Sequence, residues 1–192
     1  MNDPLQIRRA TTADVPAVAR IINDAAEYGL MLHRSMAYLY EKVRDFHVAV
    51  DGDQIVGVCG LSIVWGNLAE IYALAVAPSQ RGRGVGGKLV QACIDEAPLI
   101  GIRKLMALTY EQRFFEKLGF TVVDRQNLPL KVWSQCVNCS KNQACDEIAM
   151  ILVNESVPDI EIEQPSAQQY VVPVVSTIRP ASGSRQKMDE AP

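Results

Sequence analysis

The sequence predicts a mixed α/β fold of the α+β kind, a mostly antiparallel twisted sheet flanked by helices. Three observations carry this expectation. Two short helical periodicities come before any long strand. Three strand-like runs between Phe46 and Ala77 follow one another through tight turns, so they form a meander and not an alternating βαβ array. A glycine-rich stretch, Gln80 to Gly87, then opens straight into an amphipathic helix.

The elements follow in order. Leu5 to Arg9 alternates apolar and polar residues and reads as a short strand. Thr11-x-x-Asp14 is a capping box with Asp in place of Glu, and it opens a helix through Glu27. Val15, Val18, Ile21 and Ile22 form its apolar face, and Gly29 ends it. A second helix is expected from Ser35 to Arg44, burying Met36, Leu39 and Val43. The three strands are Phe46 to Val50, Gln54 to Trp65 and Leu68 to Ala77, with turns at Asp51-Gly52-Asp53 and Gly66-Asn67. The helix after the glycines runs to Ala97 with Val85, Leu89, Val90, Cys93 and Ile94 inward. Arg103 to Thr109 is a strand, Glu111 to Leu118 a short helix closed by Gly119, and Phe120 to Val123 a strand. Asn127 to Gln135 is expected to be a helical turn, and Glu147 to Val153 the last strand. Residues 1–153 thus make one domain. Residues 154–192, rich in Pro, Ser, Gln and charge, are expected to be a disordered tail in which only Tyr170-Val171-Val172 could add a strand.

Composition narrows the function classes. The chain has 192 residues, is 48% hydrophobic, and can therefore bury a core. A formal charge of −3 argues against a nucleic-acid binder, which needs a basic face. The N-terminal residues contain no apolar stretch of signal-peptide length, and no window reaches the length of a membrane span. A cytoplasmic location with reduced thiols is the expectation.

The glycine stretch has the chemistry of a phosphate cradle. Glycines let the backbone approach an anion, and the first turn of a helix offers unpaired N–H groups at the positive end of its dipole. Arg81, Arg83 and Lys88 add charge. Gly82-x-x-x-x-Gly87-Lys88 satisfies most of the P-loop pattern, but Leu89 stands where that loop needs Ser or Thr for magnesium. Gly82-x-Gly84-x-x-Gly87 satisfies the dinucleotide fingerprint, but hairpins precede it and no acid ends the following strand, Ala107-Leu108-Thr109. Both readings fail on context.

A third reading fits. Arg81-x-x-Gly84-x-Gly86, the preceding Leu74-Ala75-Val76-Ala77-Pro78 and the later Phe114-Phe115-Glu116-Lys117-Leu118-Gly119-Phe120 resemble, in order, three elements of the GNAT superfamily of N-acetyltransferases. The resemblance implies a sheet splayed between the strand ending at Ala77 and the one starting at Arg103, with acetyl-CoA in the opening. Its pyrophosphate would meet the backbone of Arg81, Gly82, Arg83, Gly84, Val85, Gly86 and Gly87. Its pantetheine arm would pair with the main chain around Leu74 and Val76.

Direct attack of an amine on a thioester has two requirements. The ammonium must lose a proton, and the developing oxyanion needs a donor. Glu70 lies within the apolar run Ala69-Glu70-Ile71-Tyr72-Ala73-Leu74, where desolvation raises a carboxyl's pKa, and it is the candidate base. By resemblance the Leu74 N–H is the oxyanion donor. Many members carry a Tyr acid where this chain has Phe115, so Tyr110 is the substitute candidate for protonating the leaving thiolate.

Further runs sharpen the likeness. Met31-Leu32-His33-Arg34-Ser35, Arg44-Asp45-Phe46, Lys104 to Thr109, Asp124-Arg125-x-x-Leu128-Pro129 and Val132-Trp133 resemble the short bacterial N-acetylglutamate synthases of arginine biosynthesis. This resemblance covers residues 5–153 and implies L-glutamate as acceptor and a homodimer as an allowed assembly. Glutamate's carboxylates need a cation. Arg34 is the candidate clamp, because guanidinium grips carboxylate bidentately, with Arg8 and Arg9 behind it. Two other readings stay open: the same fold acting on another small amine or a protein N-terminus, and a non-catalytic acyl-CoA sensor.

Cys136, Cys139 and Cys145 form an incomplete metal set, the weak candidates for structural zinc. Cys59 and Cys93 sit at apolar positions and read as core, and neither His33 nor His47 is needed for the chemistry.

Overall fold

The computed structural model describes residues 5–125, 128 and 146–160. Among these residues seven strands form one sheet in the order β1-β2-β3-β4-β5-β7-β6. They are β1 (Gln6–Arg9), β2 (Phe46–Asp51), β3 (Gln54–Trp65), β4 (Leu68–Val76), β5 (Lys104–Thr109), β6 (Thr121–Val122) and β7 (Ile148–Val153). The helices are α1 (Val15–Glu27), α2 (Met36–Glu41), α3 (Val85–Glu96) and α4 (Gln112–Glu116). The expected α+β architecture is therefore present. β4 and β5 are the parallel pair, and the other neighbours are antiparallel.

The start of α1 follows the capping logic of its sequence. The Thr11 N–H donates to Asp14 Oδ2 at 2.7 Å, and a 3-10 turn over Thr12–Asp14 precedes the helix proper. Its apolar stripe, Val15, Val18, Ala19, Ile22 and Ala25, packs on Phe46, Val48 and Val58 of the sheet. On the opposite face α3 lays Val85, Leu89, Val90 and Cys93 over Cys59, Leu61 and Ile71. Adjacent residues Val58 and Cys59 thus belong to different layers, as strand alternation demands.

Two expectations need correction. The second helix stops at Glu41, and a 3-10 turn covers Val43–Asp45. Leu39 alone among its residues is buried, Met36 is exposed, and Val43 is half-buried. The reason is the cap: the Ser35 hydroxyl accepts from the Tyr38 N–H, which places Met36 at the first position of a helix too short to present a second inward turn. Ile94 and Ile21, counted inward, are half-buried at the margins of their stripes.

Gly60 explains how α2's neighbourhood fits on the sheet. A Cβ there would collide with the ring of Tyr72, its register partner on β4, which lies across Gly60 and packs tilted against Phe46 with ring centroids 5.4 Å apart.

The residues just after β7 are held to the domain. Arg103 donates to the carbonyls of Asn154 and Val157 and pairs with Glu155, while the Asn154 N–H donates to the Arg103 carbonyl at 2.7 Å and Val157 is buried. The proposed tail thus begins with a segment that is tied down. Tyr170-Val171-Val172 and the helical turn expected at Asn127 to Gln135 lie outside the described residues, apart from Leu128. Truncation after Val153 should lower the melting temperature by about 5 °C relative to truncation after Ile160, from the lost buried hydrogen bonds and Val157 contacts. Thermal unfolding of the two shortened chains, followed by circular dichroism, makes the comparison.

Candidate active site

The glycine loop presents donors to open space. Gly84 is the N-cap of α3 with φ 79°, and Gly82 has φ 75°. The first helical bond is Lys88 N–H to the Gly84 carbonyl, 3.1 Å, so the N–H groups of Val85, Gly86 and Gly87 come before it. Cβ atoms added at Gly82, Gly84 or Gly87 would meet nothing within 4 Å, whereas one at Gly86 would touch the Phe114 ring at 3.7 Å. Arg81 donates through Nε to the Val76 carbonyl at 3.2 Å, and Arg83 is held by Gln80, itself bonded to Asp51. A cradle of backbone donors flanked by cations, with room above it, fits a pyrophosphate.

The sheet opens beside this loop. β4 and β5 pair only from Leu68↔Lys104 to Glu70↔Met106, although β4 continues to Val76 and β5 to Thr109. On its other edge β4 bulges. Val58 pairs Ala75 and Gly60 pairs Tyr72, so Cys59 alone faces both Ala73 and Leu74. Ala73 carries the strain, with φ 50°, a left-handed conformation that alanine rarely adopts. The Leu74 main chain therefore lies outside the β3 ladder register, at the mouth of the splay. Nothing in the sequence marks the bulge, because Ala73 is not a residue type that signals positive φ.

Glu70 occupies the last paired level, between Ser62 on β3 and Met106 on β5. Along β4 its same-face neighbours are Leu68, in the cluster of Val64, Met106 and Ala149, and Tyr72, packed on the α1 cluster. Burial between these clusters pushes its carboxyl up to about 7, the negative charge of Glu147 adds to the rise, and Arg34 opposes it. A carboxyl so poised can take a proton near neutral pH. Three separate parts of the chain meet here: β4, the α1–α2 connection and the residue before β7. Glu147 was missed in the sequence because it reads there as an ordinary strand-end residue.

Arg34 is held in place from α1. The Asn23 side chain accepts from the Arg34 N–H at 2.9 Å and donates to its carbonyl at 3.1 Å. The guanidinium stacks on the Tyr38 ring, 4.6 Å from its centroid. Asn23, also missed in the sequence, looks there like any polar residue on a helix's outer face. Close by, the Tyr72 hydroxyl donates to Asp45 Oδ2 at 3.1 Å, and burial together with Asp45 keeps the phenol protonated. The two reserve cations are engaged elsewhere. Arg8 grips Asp14 bidentately at 2.6 and 2.9 Å, and Arg9 pairs with Glu96 at 2.8 Å. Tyr110 is 41% exposed, and its hydroxyl donates to Asp146 Oδ1 at 2.8 Å. His33 pairs with Glu27 on the surface.

Among the described residues no group of three or more His, Cys, Asp or Glu is arranged to hold a metal, and no helix is long and apolar enough to cross a membrane. Cys136, Cys139 and Cys145, on which the zinc expectation rested, lie outside the described residues.

A splayed mixed sheet with a β4 bulge and a loop of backbone donors at the start of α3 is a geometry suited to an extended ligand with a phosphate group. The Acetyltransferase (GNAT) family matches residues 17–120, and the chain belongs to this family. It is an acetyl-CoA-dependent N-acetyltransferase. It is 37% identical to an uncharacterized N-acetyltransferase of Chlorobaculum tepidum, over 76% of this chain and 94% of that one. It is 32% identical to an amino-acid acetyltransferase of Mycobacterium tuberculosis, over 67% and 75% of the two chains. Among solved structures it resembles N-acetylglutamate synthase from Neisseria gonorrhoeae complexed with coenzyme A and N-acetyl-glutamate (TM-score 0.69, 26% identity). That match covers 80% of this chain but 36% of the synthase, so the chain spans about a third of that protein.

Gly84 and Gly86 should respond differently to substitution. Gly84→Ala forces a Cβ into positive φ at the cradle and should weaken coenzyme A binding about tenfold or more. Gly86→Ala meets only ordinary contact with Phe114 and should be milder. Calorimetric titration with coenzyme A measures both, and equal affinities in the two variants would remove Gly84 from the cradle.

Proposed function

We propose that this chain transfers the acetyl group of acetyl-CoA to the α-amino group of L-glutamate. The observation that carries the reading is the placement of Arg34, a cation anchored by Asn23 and close enough to Glu70 to oppose the rise in its pKa. An acidic amino acid needs such a group beside the base that deprotonates it. The relatives named amino-acid acetyltransferase and the synthase holding N-acetyl-glutamate support the same choice.

In this reading the pyrophosphate rests on the loop from Arg81 to Gly87, and the pantetheine arm runs along Val76 and Leu74. The Leu74 N–H, turned out by the bulge, donates to the thioester carbonyl oxygen, a contact worth roughly 3 kcal/mol as negative charge develops. Glu70 takes the ammonium proton. The freed amine attacks the carbonyl carbon, and collapse of the tetrahedral intermediate expels the thiolate of CoA. Tyr110 is the candidate acid for that thiolate, but its proton is already given to Asp146 and that bond would have to break. A thiolate with a pKa near ~8.5 can also leave unprotonated.

Glu147 favours a second reading. Its charge reaches Glu70, so among the described residues Glu147 and Glu70 share the acceptor side with Arg34. That balance suits an amine acceptor without a side-chain carboxylate, such as a neutral amino acid.

Substrate choice separates the readings. Thiol release from acetyl-CoA with L-glutamate should exceed that with L-glutamine and L-aspartate. Glutamine offers the cation no side-chain carboxylate, and aspartate places its charge one methylene short. Arg34→Ala should raise the glutamate KM by about 30-fold or more, from a charged contact worth roughly 2–4 kcal/mol, and leave the acetyl-CoA KM nearly unchanged. Faster turnover of glutamine would establish the second reading.

The base has its own signature. Because Glu70 must be ionised to accept a proton, kcat/KM should rise with pH through an inflection near 7. Glu70→Gln should lose that inflection and about 10²–10⁴-fold in kcat. The raised pKa also means that the folded state holds a proton which the unfolded chain releases, so stability falls as pH rises from the ordinary carboxyl range to about 7. Glu70→Gln should therefore melt no lower than the parent at pH 8. A normal rate at neutral pH in this variant would place the base elsewhere.

A further inference from the structure

Cys59 and Cys93 are buried free thiols, as the sequence implies for core positions. Their surroundings are not those of a plain core. Arg9 pairs with His47 across β1 and β2, and His47 pairs with Cys59 across β2 and β3, so one row of the sheet reads Arg9–His47–Cys59. α3 crosses above this row and brings Cys93 and Glu96, one turn apart, down onto it. Cys93 Sγ lies 3.7 Å from Cys59 Sγ and 3.6 Å from His47 Nδ1. The other imidazole nitrogen, Nε2, lies 3.4 Å from Glu96 Oε2, and Glu96 Oε1 lies 2.8 Å from the Arg9 guanidinium. The side chains of Arg9, Glu96 and His47 are 49%, 16% and 8% exposed, a graded path from solvent to the sulfurs.

Packing alone does not account for a carboxylate, an imidazole and two thiols under one helix, since burying polar groups costs free energy that an alanine or valine would avoid. The order carboxylate, imidazole, thiol is the one in which the imidazole takes the thiol's proton and the carboxylate steadies the resulting cation. The acidities point the same way. The Cys59 thiol's hydrogen bond, and after it His47, lowers the pKa of Cys93, while the bond to Cys93 and burial raise that of Cys59. Cys93 is thus the nucleophile, and Cys59 keeps its proton.

We propose that Cys59 and Cys93 are a thiol oxidation site, at which a small peroxide closes an intramolecular disulfide with His47 and Glu96 handling the proton. In the first step His47 accepts the Cys93 proton and the thiolate attacks one oxygen of hydrogen peroxide. The O–O bond breaks, Cys93 becomes a sulfenic acid, and the departing hydroxide leaves as water with the proton from His47. In the second step Cys59 sulfur attacks Cys93 sulfur, the S–O bond breaks, and water leaves with the Cys59 proton. Two thiols lose two electrons and two protons, and one peroxide becomes two waters. Burial selects the oxidant, because a small neutral peroxide reaches the pair through local opening and bulky disulfides do not.

The disulfide also acts on the acetyl-CoA groove. The sulfurs must close from 3.7 Å to roughly 2.05 Å, which draws α3 toward β3 by about 1.7 Å or less. α3 carries the phosphate cradle at its start, and Cys59 is the β3 residue facing the Ala73–Leu74 bulge. A dense core passes such a shift to both ends of the groove. This coupling rests on the acetyl-CoA placement given above; disulfide formation itself does not.

The test uses the full chain treated with hydrogen peroxide, then alkylated in denaturant and mapped by peptide mass spectrometry. A linked Cys59–Cys93 peptide is expected, together with about a tenfold loss of coenzyme A affinity that dithiothreitol reverses. The linked peptide should persist when Cys136, Cys139 and Cys145 are all changed to Ser. In Cys59→Ala, Cys93 should be trapped as a sulfenic acid that dimedone labels, and adding His47→Gln should slow that labelling by about tenfold or more at neutral pH. Separate alkylation of both cysteines after peroxide, in a chain that remains folded, overturns the proposal. A linked peptide with unaltered coenzyme A affinity overturns the coupling but leaves the oxidation site, and so also stays separate from any failure of the glutamate reading.

Discussion

The parting of β4 from β5 after Glu70 is the constraint on which the rest of the molecule depends. A parallel pair that continued would satisfy the backbone of both strands and leave no slot for an extended ligand. Here three residue pairs hold the strands together, and β4 then runs on to Val76 beside β3. Among the described residues its edge on the β5 side has no strand partner from Ile71 to Val76. The bulge at Ala73–Leu74 works on the opposite edge and turns one main-chain group out of the β3 ladder. The positive φ of Ala73 stores about 1–3 kcal/mol of strain, which the paired residues on both sides of the bulge hold in place.

The same geometry sets the electrostatics. Glu70 sits at the apex of the opening, where two apolar clusters meet and water is excluded from most of its side chain. Its carboxyl is costly to ionise for that reason, and the neighbouring charges do not offset the cost, since Glu147 adds at least as much as Arg34 removes. Arg34 favours the ion and Glu147 opposes it. The Arg34 backbone is held by the Asn23 amide on α1, so the way α1 packs on the sheet bears on the distance between Arg34 and Glu70. Stripping that packing would disperse the site without touching any residue in it.

On the far face, the polar row Arg9–His47–Cys59 lies beneath α3, level with the bulge. One helix therefore carries the glycine loop at its start and a thiol of the buried pair two turns later. Whatever moves that helix relative to β3 moves the cradle and the bulge's supporting strand together.

Much of this was legible in the sequence, for a definite reason. Glycine placement, capping residues and strand alternation are local, so Gly82 and Gly84 announced the left-handed turn before α3, Thr11 and Asp14 announced the helix start, and the meander with its turns announced the sheet. A carboxylate inside an apolar strand announced Glu70. What only the tertiary structure decided was set by contacts between residues far apart in the chain. Ala73 bulges because the β3 and β4 registers disagree by one residue, which neither strand shows alone. Asn23 and Glu147 reach the site through packing of separate elements, and Cys59, Cys93 and His47 become one cluster only when α3 crosses β2 and β3. Local physics fixes each element and its inward face; which side chains then share a space depends on registers and crossings that no single segment encodes.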